Sequence, residues 1–359
     1  MLRSLLAPTR RSAVAPRRFA PRCLSIEPRR GRPTVLAGLI AALAIALAPG
    51  VARATILNNI TVISVPAAWG AGTRPLDVSG DSIVGYYRDQ FGTSHGFLYD
   101  GTTYTKLDGP PSIERYARGI DGSNVVGTYA DLKGTAQGFL FDGSSYTTLS
   151  NPLAATGPNL GTYAEGIDGD NIVGYYFDAA KHAHGFLYNL TSNTYTTIDN
   201  PHAGGGTGEG TFIEGISGGN LVGYYSIGGG FKSPFLFNGT SFTSLDPPFG
   251  THLGSDAVGY AQGISGTNII GNIADSSPAK LGGFLYDGTT YDSIANFQLY
   301  GISGNKIVGT FVSSVSFPSG NPSYTGFVAT IPEPTSLVLG LAGAVGLWLF
   351  VCRVRKPRR

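Results

Sequence analysis

Between residues 55 and 331 this 359-residue chain has no cysteine; Cys23 and Cys352 both lie near its ends. That excludes a disulfide, a thiolate metal site and a thiol nucleophile from the central region. The same stretch has no methionine, and nothing in it reads as a helix. Cations are scarce there too. Of 25 Lys+Arg, ten fall in residues 1–54 and five after Cys352. The centre keeps ten, against 21 of the 23 Asp+Glu, for a formal charge of −11. A body of that sign repels phosphate backbones, which argues against nucleic acid as a partner.

What is there is a repeat. A Gly-Ile/Val-x-Gly entry leads into an Ile/Val-Val-Gly-Tyr core, then a variable stretch, a Gly-Phe-Leu-Tyr core, a tight turn and Tyr-Thr-x-Leu. The glycines of the first core are Gly85, Gly127, Gly174, Gly223, Gly271 and Gly309, spaced 42, 47, 49, 48 and 38 apart. The second core begins at Gly96, Gly138, Gly185, Pro234, Gly283 and Gly326. β-Branched and aromatic residues dominate each unit, as a pleated, buried surface requires. Each unit therefore predicts four short strands. Asp100-Gly101, Asp142-Gly143, Asn238-Gly239 and Asp287-Gly288 predict type I′ hairpin turns between strands three and four. The third unit has a longer loop, Asn189–Asn193. The strand glycines mark close backbone approach, expected between blades packed face to face.

Four strands per 40–50 residues is propeller spacing. The sixth unit stops after its third strand, at Ile331. Its missing fourth strand matches Ile60–Pro66 at the other end of the body. The sequence thus predicts an all-β, six-bladed β-propeller of four-stranded blades over 55–331, closed by an N-terminal strand. A β-solenoid is the rival and predicts no displaced strand.

The ends read as addresses. Residues 1–33 carry nine arginines and one acid, Glu27, followed by the apolar stretch Thr34–Ala48 and a small-x-small site at Ala52-Arg53-Ala54. This describes a signal peptide over 1–54, cleaved after Ala54. Residues 332–359 hold Pro332-Glu333-Pro334, an apolar run over 337–352 and a basic end. This three-part tail resembles the PEP-CTERM sorting signal. The resemblance implies an exported protein with a C-terminal membrane helix. It also implies processing by a membrane enzyme, an exosortase, and delivery to the cell surface or extracellular matrix. An ordinary tail anchor is the alternative. The repeats, in copies such as His95-Gly96-Phe97-Leu98-Tyr99 and His184-Gly185-Phe186-Leu187-Tyr188, resemble the HAF repeats of bacterial extracellular proteins. That family implies secretion and repeat architecture, and brings no assigned chemistry.

Candidate sites are sparse. The loops between strands two and three, and those between blades, vary in length and would share one face of a propeller, where binding is usually placed. Tyr116, Tyr163, Phe212 and Tyr260 sit at similar offsets before strand one; they suit sugar stacking or burial. Glu114, Glu165, Glu209 and Glu214 read as inter-blade loop residues, two of which would form an acid/base pair if they converge. His95, His182, His184, His202 and His252 read as solvated. Asp168, Asp170 and Asn171 suit calcium through oxygens, though equivalent turns elsewhere suggest ordinary turn chemistry. Gly204–Gly206 and Gly228–Gly230 read as flexible, without P-loop spacing. No catalytic residue, metal or cofactor is expected. The reading is a non-enzymatic exported surface or matrix protein binding polysaccharide or a surface protein through that loop-rich face. The alternative is a propeller lyase or hydrolase using loop carboxylates.

Overall fold

The structure is a computed structural model. It describes residues 53–54, 57–66, 68, 72–107, 109–110, 112, 114–247, 258–274, 282–316 and 322–331. All lie in the second of two units, Pro49–Arg359. Pro332, Glu333 and Pro334 of the expected sorting signal, the run 337–352, Ala52 and His252 lie outside them. Among the described residues no helix is long and apolar enough to cross a membrane.

Six four-stranded blades follow one another along the described chain. Blade 1 is β3 (Thr73–Ser79), β4 (Ser82–Arg88), β5 (Ser94–Tyr99) and β6 (Tyr104–Leu107). Blade 2 is β7 (Glu114–Asp121), β8 (Asn124–Ala130), β9 (Ala136–Phe141) and β10 (Tyr146–Leu149). Blade 3 is β11 (Gly161–Asp168), β12 (Asn171–Phe177), β13 (Ala183–Asn189) and β14 (Thr194–Ile198). Blade 4 is β15 (Gly210–Ser217), β16 (Asn220–Ile227), β17 (Phe231–Phe237) and β18 (Phe242–Ser244). Blade 5 is β19 (Val258–Ser265), β20 (Asn268–Ala274), β21 (Gly282–Tyr286) and β22 (Tyr291–Ala295). Blade 6 takes β23 (Phe297–Ser303), β24 (Lys306–Ser316) and β25 (Pro322–Thr330) from the C-terminal end and β2 (Asn58–Ile63) from the N-terminal end.

The displaced strand is where the sequence places it. β2 runs antiparallel to β25, pairing Asn58 with Thr330, Val62 with Phe327 and Ile63 with Gly326. Ring closure removes an exposed sheet edge and rules out the solenoid. Just upstream, β1 (Arg53–Ala54) pairs in parallel with β22.

The core lies between blades. Each third strand buries a phenylalanine: Phe97, Phe186, Phe235, Phe284 and Phe327 are fully buried and Phe139 nearly so. Each such side chain stabilises the fold by about 1.5–3 kcal/mol. In five blades the fourth strand lays an aromatic ring on it, as Tyr104 does on Phe97 and Tyr146 on Phe139.

Two local expectations are corrected. The Asp-Gly turns are not type I′, which would put both central residues at positive φ. They are four-residue loops, 100–103, 142–145, 238–241 and 287–290, with only the glycine at positive φ (Gly101 at 95°, Gly239 at 91°). The Asp or Asn side chain holds the loop: Asp100 Oδ1 accepts from the N–H groups of Thr102 and Thr103, at 2.8 and 2.7 Å. The first-core glycines do mark close approach, but within a blade. A Cβ on Gly174 would lie 1.9 Å from the Tyr163 carbonyl oxygen of the inner strand; the other five copies are equally tight. Blade-to-blade closeness belongs instead to the second-core glycine. A Cβ on Gly185 would meet Ile213 at 2.7 Å, and one on Gly326 would meet Pro75 at 2.6 Å. Where blade 4 has Pro234 there, the facing residue of blade 5 is Gly259.

The face predicted to be loop-rich carries the strand two-to-three and inter-blade loops, as alternating strand directions require. Three of its loops are less variable than their sequences. In 89–93, 131–135 and 178–182 one aspartate organises the same turn: Asp89 accepts from Thr93 N, Asp131 from Thr135 N and Asp178 from His182 N. Gly228–Gly230 forms a single 3-10 turn between β16 and β17.

Candidate functional site on the propeller axis

Every inner strand contains one β-bulge, and the bulges fall at equivalent places. The ladder shifts register between Pro75 and Asp77, Ala117 and Gly119, Ala164 and Gly166, Ile213 and Gly215, Ala261 and Gly263, and Leu299 and Gly301. The extra residue in each case is Leu76, Arg118, Glu165, Glu214, Gln262 or Tyr300. A bulge re-aims a side chain that strict alternation would send elsewhere. All six line one cavity of about 200 Å³ on the axis, together with the short-turn ends of the inner strands.

The Gly-Ile-Asp/Ser after the bulge is kept in five blades, while the aimed position takes five residue types across six. An Ala-x-Gly-Ile-Asp/Ser frame, read as Ala117–Asp121, Ala164–Asp168 and Ala261–Ser265, carries Arg, Glu and Gln at x. The constant positions serve packing. Gly119, Gly166, Gly215, Gly263 and Gly301 each lie against the backbone of the next blade; a Cβ on Gly166 would be 3.2 Å from Glu214 O. In blade 1 this position is Asp77, whose carboxylate accepts a 2.9 Å hydrogen bond from Ile120 N of blade 2. The Asp/Ser that ends the frame clasps the following blade. Ser79 accepts from Gly122 N, Asp121 from Gly169 N, Asp168 from Gly218 N, Ser217 from Gly266 N and Ser265 from Gly304 N. Between blades 6 and 1 the Lys306 ammonium bonds to Gly80 O and Asp81. Asp168, weighed above as a calcium ligand, is thus an inter-blade clasp.

The polar ring is electrostatically strained. Glu165 is buried, and its Oε2 forms a 3.3 Å ion pair with Arg118 Nη1. Its Oε1 is buried without a hydrogen-bond partner. Burial raises the Glu165 pKa despite the guanidinium. Burial, then the neighbouring Glu165 charge, pushes Glu214 up to about 8. Burial likewise pushes Asp77 up to about 7 against the Ile120 hydrogen bond. Desolvation of the charged form dominates all three.

Around this ring the second-strand tyrosines pack on the inner-strand aromatics. Tyr163 stacks on Tyr175 at 4.7 Å, Tyr175 meets Phe212 edge-on at 4.9 Å, Phe212 stacks on Tyr224 at 4.7 Å, and Tyr224 meets Tyr260 edge-on at 5.0 Å. Tyr116 packs on Tyr86 in the same way. The Lys232 ammonium lies 4.9 Å from the centroids of both Tyr224 and Tyr260. Of the aromatics singled out in the sequence, Tyr116, Tyr163 and Tyr260 are half-buried and Phe212 is buried.

The other candidates divide. Glu114, Glu165 and Glu214 stand on inner strands, not in loops. The structure brings Glu165 and Glu214 into electrostatic contact. Glu114 instead accepts a hydrogen bond from Tyr116 Oη at 2.6 Å. Glu209 is a loop residue that accepts from Gly206 N. His95 pairs with Asp89 at 2.9 Å, and His184 Nδ1 with Asp199 at 2.8 Å, so neither is simply solvated. Among the described residues, no three His, Cys, Asp or Glu side chains converge closely enough to hold a metal ion. Arg118, Gln262 and Tyr300 were missed by sequence reasoning; the available signal was the variable residue inside the repeated Ala-x-Gly frame.

No protein-family model matches the chain, and no curated protein matches it. Among solved structures, the chain is similar to the β-propeller domain of the Trilobed protease from Pyrococcus furiosus. That match has 9% identity over 72% of this chain and 94% of that one, with a TM-score of 0.43. Two lectins are at comparable distance. The SapL1 lectin in complex with α-methyl fucoside gives 14% identity over 76% and 98%, with a TM-score of 0.45. The Aleuria aurantia lectin in complex with α-methyl-L-fucoside gives 14% over 76% and 99%, with a TM-score of 0.42.

Proposed function

We propose that this is an exported, non-enzymatic surface or extracellular-matrix protein whose propeller binds a polysaccharide at the axial site. One observation carries the binding reading. Six equivalent bulges aim six side chains at one axial cavity, and five residue types, Leu, Arg, Glu, Gln and Tyr, stand at those six places. A scaffold needs no such individuality; a recognition site does. Buried polar groups flanked by half-buried tyrosines are the usual lining of a site for a hydroxyl-rich ligand. Export rests on the segment ending Ala52-Arg53-Ala54 and on the tail at Pro332-Glu333-Pro334, which supports an exosortase as processing partner. The HAF-type repeats support the same destination.

A glycan-array screen of the full chain, with Glu165→Gln and Glu214→Gln alongside, tests the reading. Saturable binding without product, weakened in both variants, is the expected result. A second reading, a glycan lyase or hydrolase, is favoured by the pairing of Glu165 with Glu214. A carboxyl pushed up to about 8 is protonated at neutral pH and available as a general acid. Cleaved glycan that disappears in either variant would establish that reading and displace the first.

A further inference from the structure

We infer that the axial cavity selects a ligand carrying a primary ammonium group, so that the glycan bound there is an amino sugar with its nitrogen unacylated. This deepens the polysaccharide reading and rests on it for the sugar, but not for the charge. The cavity is lined by five carboxyl side chains, Asp77, Asp121, Glu165, Asp168 and Glu214, and by one cation, Arg118. Asp121 and Asp168 are already engaged by the clasping N–H groups of Gly169 and Gly218, and Asp77 by Ile120 N. Glu165 is different. It is 5% exposed, Arg118 reaches only its Oε2, and its Oε1 has no partner. A buried carboxylate oxygen left unpaired costs about 1–3 kcal/mol or more, and a donor from a ligand removes that cost.

A cationic donor suits the site better than a hydroxyl, because its hydrogen bond to the buried, unpartnered Glu165 Oε1 is charge-assisted and its charge offsets an acidic lining. Metal chelation lacks a converging set of ligands among the described residues. An organic ammonium brings its charge on a single atom with three donors and needs no chelating shell. The cations and phenols around the pair leave that need unmet. Lys232 acts on Glu214 from over the Tyr224 and Tyr260 rings and does not bond to Glu165 Oε1, Tyr175 and Tyr224 are held neutral by burial, and Tyr300 bonds to Gln298. Binding an ammonium would ionise Glu214, which otherwise holds its proton up to about pH 8, so an amine already protonated in solution releases a proton on binding.

Calorimetry on the full chain tests this with three probes: a glucosamine trisaccharide, its fully N-acetylated counterpart, and spermidine. The amino trisaccharide should bind at least about tenfold more tightly than the acetylated one, as a hydrogen bond between charged groups predicts. Glu165→Gln should erase that preference. Heats of spermidine binding, measured near neutral pH in buffers of different ionisation enthalpy, should show proton release for the wild type, a readout independent of how the variant folds. Equal binding of the acetylated and free-amine sugars overturns the inference and leaves the polysaccharide reading standing. Spermidine binding that equals the amino sugar's and depends on Glu165 upholds the ammonium site and removes the sugar from it. No binding by any probe overturns both.

Discussion

Asp77 shows how much one position can differ within a repeated frame. Five blades put glycine at this place on the axis, and blade 1 puts a carboxyl there, raised by burial to about 7. A carboxyl whose folded pKa lies above its unfolded one favours the fold while protonated. That contribution is complete below about pH 4 and is lost as pH rises through about 7. Glu214 adds the same trend up to about 8. Melting temperature should therefore fall from about pH 4 to about pH 8 and level off above it. Asp77→Asn should flatten that fall, melting higher than wild type at pH near 8 and close to it at pH near 4. An unchanged slope would mean that Asp77 ionises normally. The chemistry of Glu165 and Glu214 was legible in the sequence as acids of interest, but their setting was not. A bulge inserts one residue and breaks the alternation that marks a strand, so the stretch ahead of the Gly-Ile-Asp/Ser entry reads as loop.

At the scale of elements, the same bulge explains the first-core glycines. The inner strand's carbonyl is pushed over the second strand, and no side chain fits beneath it. Gly174→Ala, with its Cβ 1.9 Å from Tyr163 O, should cost more than about 4 kcal/mol or prevent folding. Gly205→Ala, with nothing near its Cβ, should change stability by less than about 0.5 kcal/mol. Urea unfolding of the two variants separates the cases; similar costs would remove the close-approach argument. Strand number, order and the displaced strand were legible because alternation and repetition act together over six units. The hairpin loops were read too simply. Asp-Gly signals a turn, but here the carboxylate captures two following N–H groups, and the Ser/Thr pair after the glycine was the clue to a longer loop. Those carboxylates, Asp100 and Asp142, are held well below the usual carboxylate range by the N–H and hydroxyl donors. Their contribution persists through neutral pH and is lost only in strong acid.

For the whole molecule, closure depends on six residues from the far end of the chain. Deleting Asn58–Ile63 bares the β25 edge beside the fully buried Phe327. The variant should melt well below wild type and self-associate through the open edge, as sedimentation velocity would show. A monomer with unchanged melting would mean that blade 6 closes without β2. The inter-blade clasps predict a single cooperative transition for the intact ring, because a side chain at the short-turn end of each blade bonds to the next blade.

The pairing of Asn58 with Thr330 also fixes where the ring can be held. Thr330 pairs with Lys306, and Ile331 N donates to Asn305 O, so the last described residue lies at a short turn between strands one and two. Asn58 lies beside it, about one strand spacing away, roughly 5 Å. Entry and exit therefore share one rim of the disc. A tether after Ile331 would pull on that rim, at the seam that β2 closes. The short-turn side would then turn toward the anchorage, and the opposite side, with its long loops, would be the one on display.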